Sequence, residues 1–147
     1  MIQIEVSTRG LELTVFGKEI APQLAQKLLE RLADVAYASA FFEAPWKSGR
    51  LAQSIVKSVE PGRAEISATA PYAAYVENGT RPHEIRPVNA RALRFQVGAG
   101  DVVFTQLVRH PGTRANPFMQ RAHEATRGKV AEVFSDVWRE SVGGEAD

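Results

Sequence analysis

The chain has no cysteine. Disulfides and thiolate metal sites are thereby excluded, and any core must come from apolar packing alone. Long hydrophobic runs are missing as well. No stretch approaches the roughly 20 apolar residues that cross a bilayer, and the opening Met1-Ile2-Gln3-Ile4-Glu5-Val6 has no basic segment leading into an apolar one. A soluble protein with no secretion signal and no membrane partner is expected. An excess of one charge sign is lacking too: Lys and Arg number 18 against 17 Asp and Glu, a formal net charge of +1. The molecule as a whole therefore does not attract nucleic acid, and any such attraction must be local. No long repeat or low-complexity linker interrupts the sequence. At 147 residues and 44% hydrophobic side chains, a single domain 1–147 is expected, large enough to bury roughly 70% of the surface its unfolded form exposes.

Periodicity then assigns the elements. Ile2, Ile4 and Val6 alternate with Gln3 and Glu5, and Leu11, Leu13 and Val15 with Glu12 and Thr14, which predicts N-terminal strands over 1–15, most simply as a hairpin turning at Ser7-Thr8-Arg9-Gly10. The period changes over 18–44, where Leu24, Leu28, Leu32, Val35 and Phe42 recur at helical spacing and predict a long helix ended by Pro45. Its last third is so poor in polar residues that it is expected to be buried, inside the domain or against a neighbouring subunit. A short helical segment follows, with Ser48 as its predicted cap, and then two strands flanking Glu60-Pro61-Gly62-Arg63. Tyr72, Tyr75 and Val76 fall on one face of another short helix ended by Asn78-Gly79. Asn116-Pro117 predicts the start of a C-terminal helix over 116–140, by an Asn cap and a first-turn proline, with a frayed tail at 141–147. The fold class is α+β: a small antiparallel sheet packed against a long N-terminal helix and a C-terminal helix.

The stretch 71–119 organises the chain. It holds two Gly-Thr-Arg triplets, Gly79-Thr80-Arg81 and Gly112-Thr113-Arg114, each beside prolines and a histidine. Between them runs a basic, apolar-alternating segment with Gly98-Ala99-Gly100-Asp101 at its middle. This pattern predicts a long projecting β-hairpin arm over 82–112, its legs leaving and re-entering the body side by side. Arg81, Arg86, Arg91, Arg94, Arg109 and Arg114 outnumber Glu84 and Asp101 there, and guanidinium groups fit phosphates and carboxylates alike. Phe95 and Phe104 are the arm's only aromatics, and no recognition helix is apparent. Open strand edges invite pairing with another chain, so protein contact is the first expectation and non-specific nucleic-acid contact the alternative.

Catalytic patterns are sparse. His83, Glu84, His110, His123 and Glu124 are the candidates for a metal hydrolase, but His123-Glu124 lacks the second histidine one helical turn on. Ser48 and Ser54 lie in no nucleophile elbow, and the glycines at 98–100 belong to a hairpin tip and not a phosphate loop. No enzyme, metal or cofactor is expected.

The run 71–83, Pro71-Tyr72-Ala73-Ala74-Tyr75-Val76-Glu77-Asn78-Gly79-Thr80-Arg81-Pro82-His83, is followed by Ile85-Arg86-Pro87, Ala92-Leu93-Arg94-Phe95, His110-Pro111-Gly112-Thr113 and Pro117-Phe118-Met119. In that order it resembles the small tail-completion, neck or head–tail joining proteins of lambda-like siphophages and prophages. Ala44-Pro45, Ser48-Gly49-Arg50-Leu51 and Ser54-Ile55 resemble the same family upstream, so the likeness runs from about 18 to 122. Ser48 stands where the family usually has threonine, and Asn78 where a bulky residue is common. The resemblance implies a non-catalytic virion protein of the phage neck or tail, assembled in the bacterial host cytoplasm. It would act as a cyclic ring of identical subunits, six-fold in the family, between a head–tail connector and a tail terminator or tail tube protein, with packaged DNA as a possible non-specific contact. It also implies an interface built from Tyr72, Tyr75, Glu77, Arg81, His83, Arg86, Arg91, Arg94, Phe95, Phe104, Arg109, His110 and Arg114. Gly79, Thr80, Pro82, Pro111, Gly112, Thr113, Pro117 and Phe118 would then position the arm.

Overall fold

The computed structural model describes residues 2–7, 20–98 and 100–142 and is mixed α+β. Strand β1 (Ile2–Ser7) and the long helix α1 (Ile20–Glu43) are followed by the short helix α2 (Arg50–Gln53) and the hairpin of β2 (Ile55–Glu60) and β3 (Arg63–Ala68). A second short helix, α3 (Ala73–Asn78), leads into four arm strands: β4 (His83–Ile85), β5 (Leu93–Val97), β6 (Asp101–Thr105) and β7 (Val108–His110). Helices α4 (Phe118–Gly128) and α5 (Val130–Val142) close the described chain. The body sheet is antiparallel in the order β1-β3-β2. β1 thus pairs with β3; the predicted partner segment 11–15 lies outside the described residues, as does 143–147.

Helix α1 has two working faces. Leu24, Leu28 and Leu32 pack with Val137, Val133, Phe134 and Trp138 of α5. The other face presents Leu29, Ala33, Ala36 and Ala40, continued by Ala44, to a core shared with Ala64, Ile66 and Ala68 of β3 and with Phe118, Met119 and Ala122 of α4. Alanines at this spacing are good helix formers, and their short side chains let the sheet and α4 approach the helix axis closely. Arg121 fastens α4 to the end of α1, its Nε 2.6 Å from the Glu43 carboxylate and its terminal nitrogen donating to the Glu43 carbonyl at 3.2 Å.

Four expectations are corrected. Phe42 is not on the buried stripe but 84% exposed, and Trp46 is 68% exposed. Both edge onto Phe41 at ring-centre distances of 5.9 and 6.1 Å, so the end of α1 carries an uncovered aromatic cluster. Ser48 does not cap α2: Gly49 occupies that position and no side-chain oxygen bonds there. The helix expected over 116–140 is two helices, divided where Lys129 donates back to the Thr126 carbonyl at 3.0 Å; glycine at 128 is a poor helix residue. Ser141 and Val142, expected in the tail, still belong to α5.

The contact between α1 and α5 has an electrostatic edge. Lys27 and Arg31 of α1 reach the Glu140 carboxylate at 3.0 and 3.1 Å. The hydrogen bond from Lys27, followed by the charge of Arg31, holds the Glu140 carboxyl below the usual carboxylate range. A carboxylate whose folded value is lowered stabilises the fold above its unfolded value and loses that contribution as pH falls through the folded one. The Glu140→Gln variant is therefore expected to show a flatter dependence of urea midpoint on acidification than the wild type. The group is solvent-exposed, so the difference is expected to shrink as salt is added.

Candidate functional site

The two Gly-Thr-Arg triplets meet at the root of the arm. Thr80 N–H donates to the Thr113 carbonyl at 3.0 Å and Thr113 N–H to the Thr80 carbonyl at 3.1 Å. The two hydroxyls lie 3.0 Å apart, and Thr113 N–H also reaches Thr80 Oγ1 at 2.9 Å. Each triplet's glycine lies against the backbone of the other leg, with positive φ of 71° at Gly79 and 87° at Gly112. The sequence repeat is thus a reciprocal clasp. Pro82 and Pro111 lie just beyond it, where each withholds a backbone donor.

Above the clasp, His83 pairs with His110, Glu84 with Arg109 and Ile85 with Val108. The imidazoles stack at 5.0 Å. Gly112 N–H donates to His110 Nδ1 at 3.1 Å, so a neutral His110 carries its proton on Nε2, while His83 Nδ1 donates to the Arg81 carbonyl at 2.9 Å. Glu84 holds two predicted arginines, Arg86 at 3.0 Å and Arg109 at 3.6 Å. Among the described residues, no group of three or more His, Asp or Glu side chains is placed to hold a metal ion. His123 sits on the exposed side of α4, apart from the histidine pair.

Residues 86–92 separate β4 from β5 on the outgoing leg, whereas only 106–107 separate β6 from β7 on the return. The outgoing leg therefore bulges in the middle of the arm. Beyond it Leu93, Phe95 and Val97 oppose Thr105, Val103 and Asp101 on one side of the ribbon, and Arg94 and Gln96 oppose Phe104 and Val102 on the other. Both sides carry apolar side chains, and Phe95, Val97, Val102, Val103 and Phe104 are all exposed, Phe104 at 65%. Arg81, Arg91, Arg94 and Arg114 meet no carboxylate among the described residues.

Beside the clasp lies an open groove of about 880 Å³. Tyr72 at the N-cap of α3 and Tyr75 and Val76 within it line the groove, with Pro45 from the segment after α1 and Arg81, His83 and Arg114 from the arm's root. The shared face predicted for Tyr72, Tyr75 and Val76 is found there, with Tyr75 62% exposed. Pro45 and Asn116 were missed as lining residues, because only the folded chain brings them beside α3.

Glu77 and the last two arm-positioning residues have inward tasks. The Glu77 carboxylate accepts from Met119 N–H at 2.9 Å and Gln120 N–H at 3.1 Å, capping α4 from another element. Asn116, expected to cap, instead donates its backbone N–H to the Val76 carbonyl at 2.9 Å. Pro117 occupies the cap position without a side-chain bond, and Phe118 is fully buried in the core. Glu77→Ala is expected to cost about 1–2 kcal/mol in a denaturation experiment, the range for losing a helix cap. Glu77→Gln, which keeps an acceptor oxygen, is expected to fall between it and the wild type.

Compared with protein-family models, curated proteins and solved structures, the chain gave no match.

Proposed function

We propose that the chain is a virion structural protein of a long-tailed phage or prophage, a tail-completion or neck component that joins head and tail as a homo-oligomeric ring. One observation carries this reading: a two-stranded ribbon, clasped at its root, that leaves the body with apolar side chains exposed on both sides. Such a ribbon is marginal in water by itself, and its open edges and apolar faces call for a covering chain. The resemblance over 18–122 supplies the setting, with a head–tail connector on one side of the ring and a tail terminator or tail tube protein on the other. The exposed aromatic cluster of Phe42 and Trp46 supports a further contact surface at the end of α1.

Deleting the arm over 87–108 and closing the gap with a short linker is expected to leave a folded protein that no longer joins heads to tails in an assembly assay. Loss of folding would instead assign the arm to the core. Arg81, Arg91, Arg94 and Arg114, which meet no carboxylate among the described residues, favour a second reading, a nucleic-acid-binding module using the basic arm. That role demands affinity for generic duplex that falls steeply with salt; duplex binding indistinguishable from the arm-deleted protein removes it.

A further inference from the structure

We infer that the arm tip of one copy seats in the groove beside the arm root of the next, so that a single chain carries both halves of a head-to-tail contact. The inference rests on the arm being an assembly element, and it names what the arm grips.

The groove has an apolar floor from Tyr72, Tyr75 and Pro45 and a cationic edge from Arg81 and Arg114. Tyrosines suit such a place because each offers a large apolar body with a polar end. The arm tip has the complementary character. Asp101 shares its side of the ribbon with Val97, Val103 and Phe95, while Val102 and Phe104 make the other side apolar just behind the turn, and Asp101 is the only acid between positions 85 and 123. Among the described residues Asp101 meets no cation, as Arg81 and Arg114 meet no carboxylate. An acidic, apolar tip and a basic, apolar groove therefore stand unmatched among the described residues. They do not match each other within one chain, since no residue from 84 to 112 lines the groove. A second copy supplies the missing half, with the Asp101 carboxylate accepting from the two guanidinium groups. Two different patches meeting in this way make a heterologous contact, the type that closes cyclic rings.

Because the chain lacks cysteine, single introduced thiols report single positions. The test mixes purified Val102→Cys with Asn116→Cys, a tip position and a groove position, and measures disulfide-linked heterodimer after mild oxidation. The control mixes Val102→Cys with Ser58→Cys on β2. The groove pair is expected to exceed the control by about tenfold, the scale of a close interfacial charge pair. Adding Asp101→Arg to the tip chain is expected to remove that excess, and adding Arg81→Glu and Arg114→Glu to the groove chain to restore it. Heterodimer at the control level, a predominance of Val102→Cys homodimers from arm-to-arm pairing, or a yield indifferent to charge reversal would each overturn the inference. The outcome is separable from the proposed role. Specific cross-linking by a protein that does not join heads to tails leaves the contact standing and removes the neck assignment. Random cross-linking by a protein that does join them keeps the assignment and gives the groove to another virion component.

Discussion

Gly112→Ala is expected to open the root of the arm while leaving the body folded. At φ 87° an L side chain is strained by about 1–3 kcal/mol before any contact is considered. The added methyl has nowhere to go: it would overlap the Thr80 carbonyl oxygen and lie 2.9 Å from the Arg81 carbonyl carbon. These are backbone atoms, held in place by the hydrogen bonds of the clasp itself. Relief therefore requires the two legs to separate. Gly79→Ala meets the mirror-image obstacle, with its methyl 2.5 Å from the Thr113 carbonyl oxygen. The readout is hydrogen exchange at the Thr80 and Thr113 amides, both bonded across the clasp. A local loss of that size corresponds to roughly tenfold to a hundredfold faster exchange. Amides of β3 and α1 are expected to keep their protection. Gly100→Ala is the control, because a methyl there meets nothing within 4 Å. Unchanged exchange at Thr80 and Thr113 would show that the clasp does not hold the legs.

What could be read in advance follows the range of the interactions involved. The clasp was legible because both halves carry the same triplet, and a repeated glycine beside proline marks a backbone constraint. The hairpins were legible because strand alternation and turn chemistry are local. Along α1, Leu24, Leu28 and Leu32 announced one buried face. The alanine face was silent, since alanine is favoured in any helix and weakly apolar, so its pattern does not separate burial from propensity. The same ambiguity placed Phe42 on the wrong side: helical spacing assigns a face, not what covers it. The partner of β1 and the capping of α4 by Glu77, 42 residues from Met119, are tertiary facts with no local mark. The groove was half legible. Its tyrosines, at the N-cap of α3 and within it, share a face by spacing, whereas Pro45 and Asn116 arrive from distant parts of the chain.

Phe118→Ala is expected to be the most destabilising of these substitutions, and its contrast with Phe104→Ala separates folding from assembly. Phe118 is one of the largest side chains with no exposed surface, at the junction of α1, α4 and the sheet. Truncating a buried phenylalanine removes its transfer energy and leaves a cavity, together about 3–5 kcal/mol. That is a large share of the roughly 5–15 kcal/mol by which domains of this kind are stable. The denaturation midpoint is expected to drop sharply with an unchanged slope, since the same surface is exposed on unfolding. Phe104 is the reverse case. It is 65% exposed on the arm and opposes Arg94, so its loss is expected to move stability by no more than about 0.5 kcal/mol. Under the proposed role its effect belongs in the joining assay, where a contact between copies that depends on an anchoring aromatic is expected to fail. A protein in which Phe104→Ala lowers the midpoint as far as Phe118→Ala would have its arm packed as core. One in which Phe104→Ala changes neither stability nor joining would have an arm tip with no partner. Only normal stability with lost joining fits a ribbon whose apolar faces are covered by another chain.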